Sequence, residues 1–221
     1  MKSVLISIRP KWCEKIASGE KTIEVRKTAP KEVPFKAYIY CTDKRPKDNC
    51  WQFKPNLYIE KKTRNLKWID AAFDSIYGYE WAQQKVIGEF ICDKVYEYKF
   101  YARLTEFNSM GFPSRIYGSY LIFSDDYKAM CLSYDEVKNY GKRKTIYGWH
   151  ISDLKIYDKP KELSEFRKAL DGVWCSYFND FCEPGCIGFD NTDYVCNDYW
   201  NWEKGLTRPP QSWQWIEEVK Q

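Results

Sequence analysis

The sequence predicts an α+β, mostly β fold: a small, largely antiparallel barrel or sheet decorated by a few short helices. Three observations predict it. Short runs of β-branched and aromatic residues alternate with polar ones at period two. Helical patterns are few and brief. Strands and helices do not alternate in the rhythm that builds a parallel βαβ sheet.

In chain order, residues 4–8 (VLISI) read as a strand. Pro10 fits a first helical turn, and Trp12, Cys13, Ile16 and Ala17 recur at helical spacing until Gly19 ends the helix. Residues 22–26 and 35–41 (FKAYIYC) follow as strands. Periodicity fades over 42–84, which reads as an insertion with one helix around 68–77. Residues 86–98 (VIGEFICDKVYEY) form one long alternating strand bent near Gly88. Ser133 followed by Glu136 is a capping box that starts a helix over 133–140. Residues 146–157 form the next strand and 160–170 a helix with Leu163, Phe166 and Leu170 on one face. A Cys- and aromatic-rich second insertion spans 171–203, and 213–219 close the chain as a strand. The whole of 1–221 is expected to be a single domain carrying the two insertions.

Composition narrows the function classes. Length suffices for a core without staples, and no apolar run approaches the roughly 18 residues a membrane span needs. The N-terminus lacks the apolar stretch and small-residue cleavage site of a signal peptide, so a cytoplasmic location and no membrane partner are expected. Nine cysteines, an odd number, fit reduced thiols. Residues 1–70 carry 17 Lys/Arg against 8 Asp/Glu, whereas 171–203 hold seven acidic residues and no Lys or Arg. A basic N-terminal part favours an anionic partner such as nucleic acid. Phosphate-binding glycine loops, dinucleotide fingerprints and serine-hydrolase elbows are absent from the sequence.

The stretch GEKTIEVRK, residues 19–27, concentrates the chemistry. In an extended strand Thr22, Glu24 and Arg26 project to one face and Ile23 and Val25 to the other, so Glu24 and Arg26 can pair. On residues alone this is either a solvated ion pair or part of a binding cleft. Its surroundings carry a resemblance. A strand, a short helix and then Gly19, Lys21, Glu24 and Arg26 in a G-x-K-x-x-E-x-R pattern resemble the opening of ASCH domains, the activating-signal-cointegrator homology family of the PUA-like superfamily. Later segments VIGEFICDKV, YGWHISDLKIYDKPKEL and RPPQSWQWIEE are similar to phage and bacterial members; 42–84 and 171–203 are largely unmatched.

The resemblance implies a PUA-like β-barrel with a cleft that binds RNA or a nucleotide-like ligand. Lys21 and Arg26 would meet phosphate or a base edge, and Glu24 would accept from an exocyclic amine or hold Arg26. Arg9 is a candidate second cation, Trp149 and Trp213 candidate walls, Trp12 a candidate core residue, and Ser152 a candidate pocket residue. Three alternatives stay open. Some relatives are amidohydrolases acting on N4-acetylcytidine, in which a Lys is the proposed nucleophile and a Thr stands where this chain has Glu24; here Lys21 and Glu24 would be the catalytic pair. A ribonuclease role would lack a clean acid/base pair. The other class is a protein-interaction module using 171–203. No cofactor is expected, with zinc on Cys175, Cys182, Cys186 and Cys196 as the exception; their spacing lacks a C-x-x-C knuckle. His150 reads as a hydrogen-bonded, partly buried strand residue, and the Lys142, Arg143, Lys144 run as a solvated loop or a phosphate contact.

Overall fold

The computed structural model describes residues 1–42, 56–69, 75–76, 79–107, 113–120, 122–169, 174–175, 180–181 and 205–217. The central strand β1 (Ser3–Ile8) is buried on both faces: Val4, Ile6 and Ile8 join one core and Leu5 another. The helix α1 (Pro10–Ala17) starts at Pro10 and ends where Gly19 takes φ +78°, a backbone conformation open to glycine without a Cβ penalty. Strand β2 (Ile23–Arg26) follows, then β3 (Phe35–Cys41). β3 returns parallel to β1, from Ser3↔Lys36 to Ile8↔Cys41. This is the one parallel pair among the described strands; the other paired strands are antiparallel, in line with a largely antiparallel sheet.

The 42–84 segment is strand where it is described. β4 (Asn56–Glu60), β5 (Leu66–Ile69), β6 (Ser75–Ile76) and β7 (Tyr79–Trp81) form a four-stranded sheet in the order β5-β4-β7-β6. The helix expected around 68–77 is therefore corrected: Trp68 pairs across to Leu57, and Ser75–Ile76 is a strand. Leu57, Ile59, Leu66 and Ala82 are buried in the same core as β1 and β3.

Both long strands expected from alternation are broken at corners. β8 (Val86–Cys92) and β9 (Val95–Tyr98) part at Asp93 and Lys94. β12 (Ile146–His150) and β13 (Ser152–Lys161) part at Ile151, next to Asp153 at φ 46°. β8 and β13 lie in a five-stranded sheet ordered β13-β8-β3-β1-β16, whereas β9 and β12 lie in a three-stranded sheet ordered β2-β12-β9. Each chain thus crosses from one sheet to the other, and period-two alternation continues through the corner without marking it. The sheets stay open, so the closed PUA-like barrel is corrected to separate packed sheets. Gly148 of β12 makes room for side chains of its own sheet: a Cβ there would lie 2.8 Å from Ile23 Cγ2 of β2 and from the Tyr98 ring of β9.

Strands β10 (Phe100–Phe107) and β11 (Pro113–Tyr120) form a hairpin. Two helices follow, α2 (Ser124–Met130), which carries no side-chain cap to announce it, and α3 (Tyr134–Gly141). In α3 the expected box is complete: Ser133 Oγ accepts from the Glu136 amide, and Glu136 Oε2 accepts from the Ser133 amide at 2.8 Å. Ser133→Ala is expected to lower stability by about 1 kcal/mol in urea unfolding. Val137 and Gly141 of α3 are buried with Ile23, Val25, Met130 and Ile146.

The helix expected over 160–170 is also corrected. β13 runs through Pro160 to Lys161, and only Leu163–Glu165 forms a 3₁₀ turn. β13 is an edge strand, where a proline forfeits no ladder bond. Phe166 still buries fully, against Tyr38. β14 (Trp174–Cys175) and β15 (Asp180–Phe181) pair with each other, and β16 (Trp213–Ile216) flanks β1 antiparallel. No helix among the described residues is long and apolar enough to cross a membrane.

Candidate functional site

β2 places Glu24 and Arg26 on one face by alternation, and its ladder with β12 puts Trp149 opposite Glu24 and Tyr147 opposite Arg26. Directly opposed residues share a face. Ile23 and Val25 on the other face pack into the cluster under α2 and α3, while Trp149 joins the main core with β1 and β3. The charged face therefore looks inward, between the sheets: Lys21 is 2% exposed, Glu24 5% and Arg26 8%. A solvated ion pair is not what this strand carries.

The three charges form one chain. Arg26 Nη2 lies 3.0 Å from Glu24 Oε1 and donates to the Ser7 carbonyl at 2.7 Å. That carbonyl lies just past Ile6↔Trp213, the terminal β1–β16 pair, so a guanidinium ties β2 to β1 where no strand ladder does. Lys21 Nζ donates to the Met130 carbonyl at 2.6 Å and the Ile23 carbonyl at 2.9 Å, and sits 3.4 Å from Glu24 Oε2. Burial lowers the Lys21 pKa, with the negative charge of Glu24 the leading opposing influence. The two carbonyls accept from an amine that can make both bonds in either protonation state. Its ammonium also lies 5.2 Å from the centre of the Trp12 ring, which is half-buried on α1.

Three buried polar atoms on this face have no hydrogen-bond partner among the described residues: Glu24 Oε2, Arg26 Nε and Trp149 Nε1. Glu24 Oε2 still faces the Lys21 ammonium at 3.4 Å, so the two donors, Arg26 Nε and Trp149 Nε1, are the atoms left without a partner among the described residues, an uncommon state for buried polar groups. Aromatic rings border this face. Trp149 is fully buried and meets Phe35 edge-on at 5.0 Å and Trp213 at 5.7 Å. Trp213 is half-buried, with its indole N–H bonded to Thr28 Oγ1 at 3.0 Å.

No family model matches the chain, and no curated protein matches it. Among solved structures the likeness is to ASCH proteins. The chain is similar to ASCH from Zymomonas mobilis at 15% identity and a TM-score of 0.46, covering 98% of this chain and 89% of that one. A serine-to-alanine mutant of that protein aligns at 14% identity and a TM-score of 0.45, covering 99% and 90%. A tyrosine-to-phenylalanine mutant aligns at 14% and 0.40, covering 99% and 93%.

Of the residues singled out from sequence, Lys21, Glu24, Arg26 and Trp149 come together. Arg9 is exposed at the N-cap of α1, two residues after Ser7. Ser152 does not join them: its hydroxyl donates to the Ile91 carbonyl at 2.9 Å, in the other sheet. It belongs with His150, whose Nδ1 lies 2.6 Å from Asp93 Oδ1, a bond that lowers the Asp93 pKa. Cys182, Cys186 and Cys196 lie outside the described residues, and only the backbone of Cys175 is described. Sequence reasoning missed Ser7, which acts through its backbone, and Tyr140. Tyr140 stands at the end of α3; burial raises its pKa, with the positive charge of Arg26 the leading opposing influence, and its ring lies 5.2 Å from Lys27 Nζ. The capping box that places α3 was the available signal, since it leaves Tyr140 off the buried Val137 and Gly141 face.

Proposed function

We propose that this chain is an ASCH-type domain that binds RNA or a nucleotide by receiving one unpaired base on the inward face of β2 and β12. The observation that carries this reading is the pair of unpartnered donors Arg26 Nε and Trp149 Nε1 beside Glu24 Oε2, which accepts no hydrogen bond and lies 3.4 Å from the Lys21 ammonium. One acceptor and two donors complement a base edge that offers one donor and two acceptors. Cytosine and uracil each present such an edge; the Watson–Crick edge of guanine, with two donors and one acceptor, does not. Trp213 supplies an adjacent aromatic face for the base plane. The G-x-K-x-x-E-x-R pattern supports the family assignment independently of the open atoms.

Titration calorimetry with CMP, UMP, AMP and GMP tests this directly. CMP or UMP is expected to bind at least about tenfold more tightly than GMP, the discrimination one well-placed hydrogen-bond pair supplies. Arg26→Lys, which keeps the charge and loses the fork, is expected to lower that preferred affinity by about tenfold or more. Equal affinity for all four nucleotides, or binding that ignores Arg26→Lys, would defeat the assignment.

A further inference from the structure

The mouth of this site carries a second feature, a group of exposed cations gathered around Tyr140. Lys27 leaves β2 directly after Arg26, and its Nζ stands 5.2 Å from the centre of the Tyr140 ring. Arg9, at the start of α1, follows by two residues Ser7, whose carbonyl accepts from Arg26. The β12–β2 register ends at Tyr147↔Arg26, so the turn feeding β12 meets the chain leaving β2 near Lys27. That turn is Lys142, Arg143 and Lys144, all exposed. No carboxylate among the described residues forms an ion pair with Arg9, Lys27, Lys142, Arg143 or Lys144. In the described run at 61–67, by comparison, Lys61 pairs with Glu80 at 2.6 Å and Lys67 with Glu60 at 3.1 Å, while Lys62 and Arg64 form no ion pair with a described carboxylate.

The turn is also held in place. Lys142 and Arg143 both adopt positive φ, 49° and 64°, a conformation in which glycine or asparagine is the usual occupant. The Lys142 amide bonds to the Lys138 carbonyl and the Lys144 amide to the Gly141 carbonyl. The Tyr120 hydroxyl donates to the Lys144 carbonyl at 2.6 Å. Two long cationic side chains thus occupy consecutive left-handed positions in an ordered turn, where a loop serving only as a connector would favour smaller residues.

We infer that this rim tracks the phosphates of a single-stranded polynucleotide, so that the ligand is a strand several nucleotides long rather than a free nucleotide. This rests on the base-pocket reading for what the strand places on β2. Phosphates flanking the inserted base run past Arg9 and Lys27 on one side of Tyr140 and past Lys142, Arg143 and Lys144 on the other. Arg143 engages a phosphate through its planar fork, and the lysines act as point charges.

The test compares a hexanucleotide of each base, as RNA and as DNA, with the matching mononucleotides at several salt concentrations. Wild type is expected to bind hexamers at least about tenfold more tightly than mononucleotides. Its log affinity should fall with log salt at a slope of about −0.7 per phosphate contacted. The combined variant Lys142→Gln, Arg143→Gln, Lys144→Gln should flatten that slope by about 2. Glu24→Gln should instead weaken hexamer and mononucleotide alike. Hexamers that bind no better than mononucleotides, or a slope indifferent to the triple variant, would overturn the rim and leave the pocket standing. Salt-sensitive hexamer binding that ignores Glu24→Gln would support the rim and overturn the pocket. Equal slopes for RNA and DNA support a purely phosphate contact; the rim is equally supported if RNA alone binds and the triple variant flattens its slope.

Discussion

Glu24→Gln is expected to lower the unfolding free energy by about 3 kcal/mol at neutral pH, the low end of what breaking a buried ion pair costs. Glu24 is the single anion between two buried cations, 3.0 Å from Arg26 Nη2 and 3.4 Å from Lys21 Nζ. Glutamine preserves its shape and removes its charge, so Lys21 and Arg26 face each other uncompensated. The pH dependence separates this cause from simple misfit. In the folded chain burial holds the Lys21 pKa below its ordinary value of 10.5. The unfolded chain therefore binds more protons between the folded pKa and 10.5, and stability rises with pH across that window. Removing Glu24 takes away an influence that raises the folded pKa, so the window widens toward neutrality. The deficit of the variant should shrink when urea unfolding is repeated near pH 9.5. A deficit constant with pH would mean that the Lys21 charge is not its cause.

Trp149 should show the opposite division between stability and binding. Trp149→Ala is expected to cost about 3–5 kcal/mol, since the ring is fully buried against Phe35 and Trp213 and the core cannot close over its volume. Trp149→Phe keeps most of that packing and deletes an indole N–H that has no partner among the described residues. Deleting a buried unsatisfied donor offsets part of the packing loss, so Phe should stay within about 1.5 kcal/mol of wild type. If that donor serves a base, the same substitution should weaken pyrimidine nucleotide binding by about tenfold. Denaturant melts and calorimetry on one preparation read both quantities. A Phe variant that is destabilised like Ala, or that binds as wild type does, would remove Trp149 from the site.

Buried charge on an inward strand face connects the two predictions. Well-packed apolar residues there would often serve stability as well or better. Lys21, Glu24 and Arg26 instead bridge three segments: the end of α2 through Met130, β2 itself, and β1 through Ser7. They fix the charged face of β2 in one geometry and leave Arg26 Nε and Trp149 Nε1 without hydrogen-bond partners among the described residues. This is the arrangement a binding site requires, with its polar groups oriented before the ligand arrives.

Much of the local structure was legible in the chain because it depends on near neighbours. The strands at 4–8 and 35–41, the helix from Pro10, its end at Gly19 and the Ser133–Glu136 capping box each rest on contacts within a few residues. The failures share a cause. Residues 86–98 and 146–157 keep their alternation through corners at Asp93 and Ile151, so period alone could not divide them. Leu163 and Phe166 have helical spacing, but the pairing of Lys161 with Val86 and the burial of Phe166 against Tyr38 decide that segment. α2 has no side-chain cap to mark its start.

At the site itself, the sequence determined that Glu24 and Arg26 share a face and that Ile23 and Val25 share the other, because side chains on a strand alternate by backbone geometry. It also determined that Lys21 follows a glycine-terminated helix. Only the tertiary structure decided that both faces of β2 are covered: the apolar one by α2 and α3, the charged one by the opposing core. Alternation sets which residues go together, not what lies over each face. That depends on the corners that carry β8 and β12 from one sheet to the next, and on a carbonyl of β1 lying within reach of Arg26.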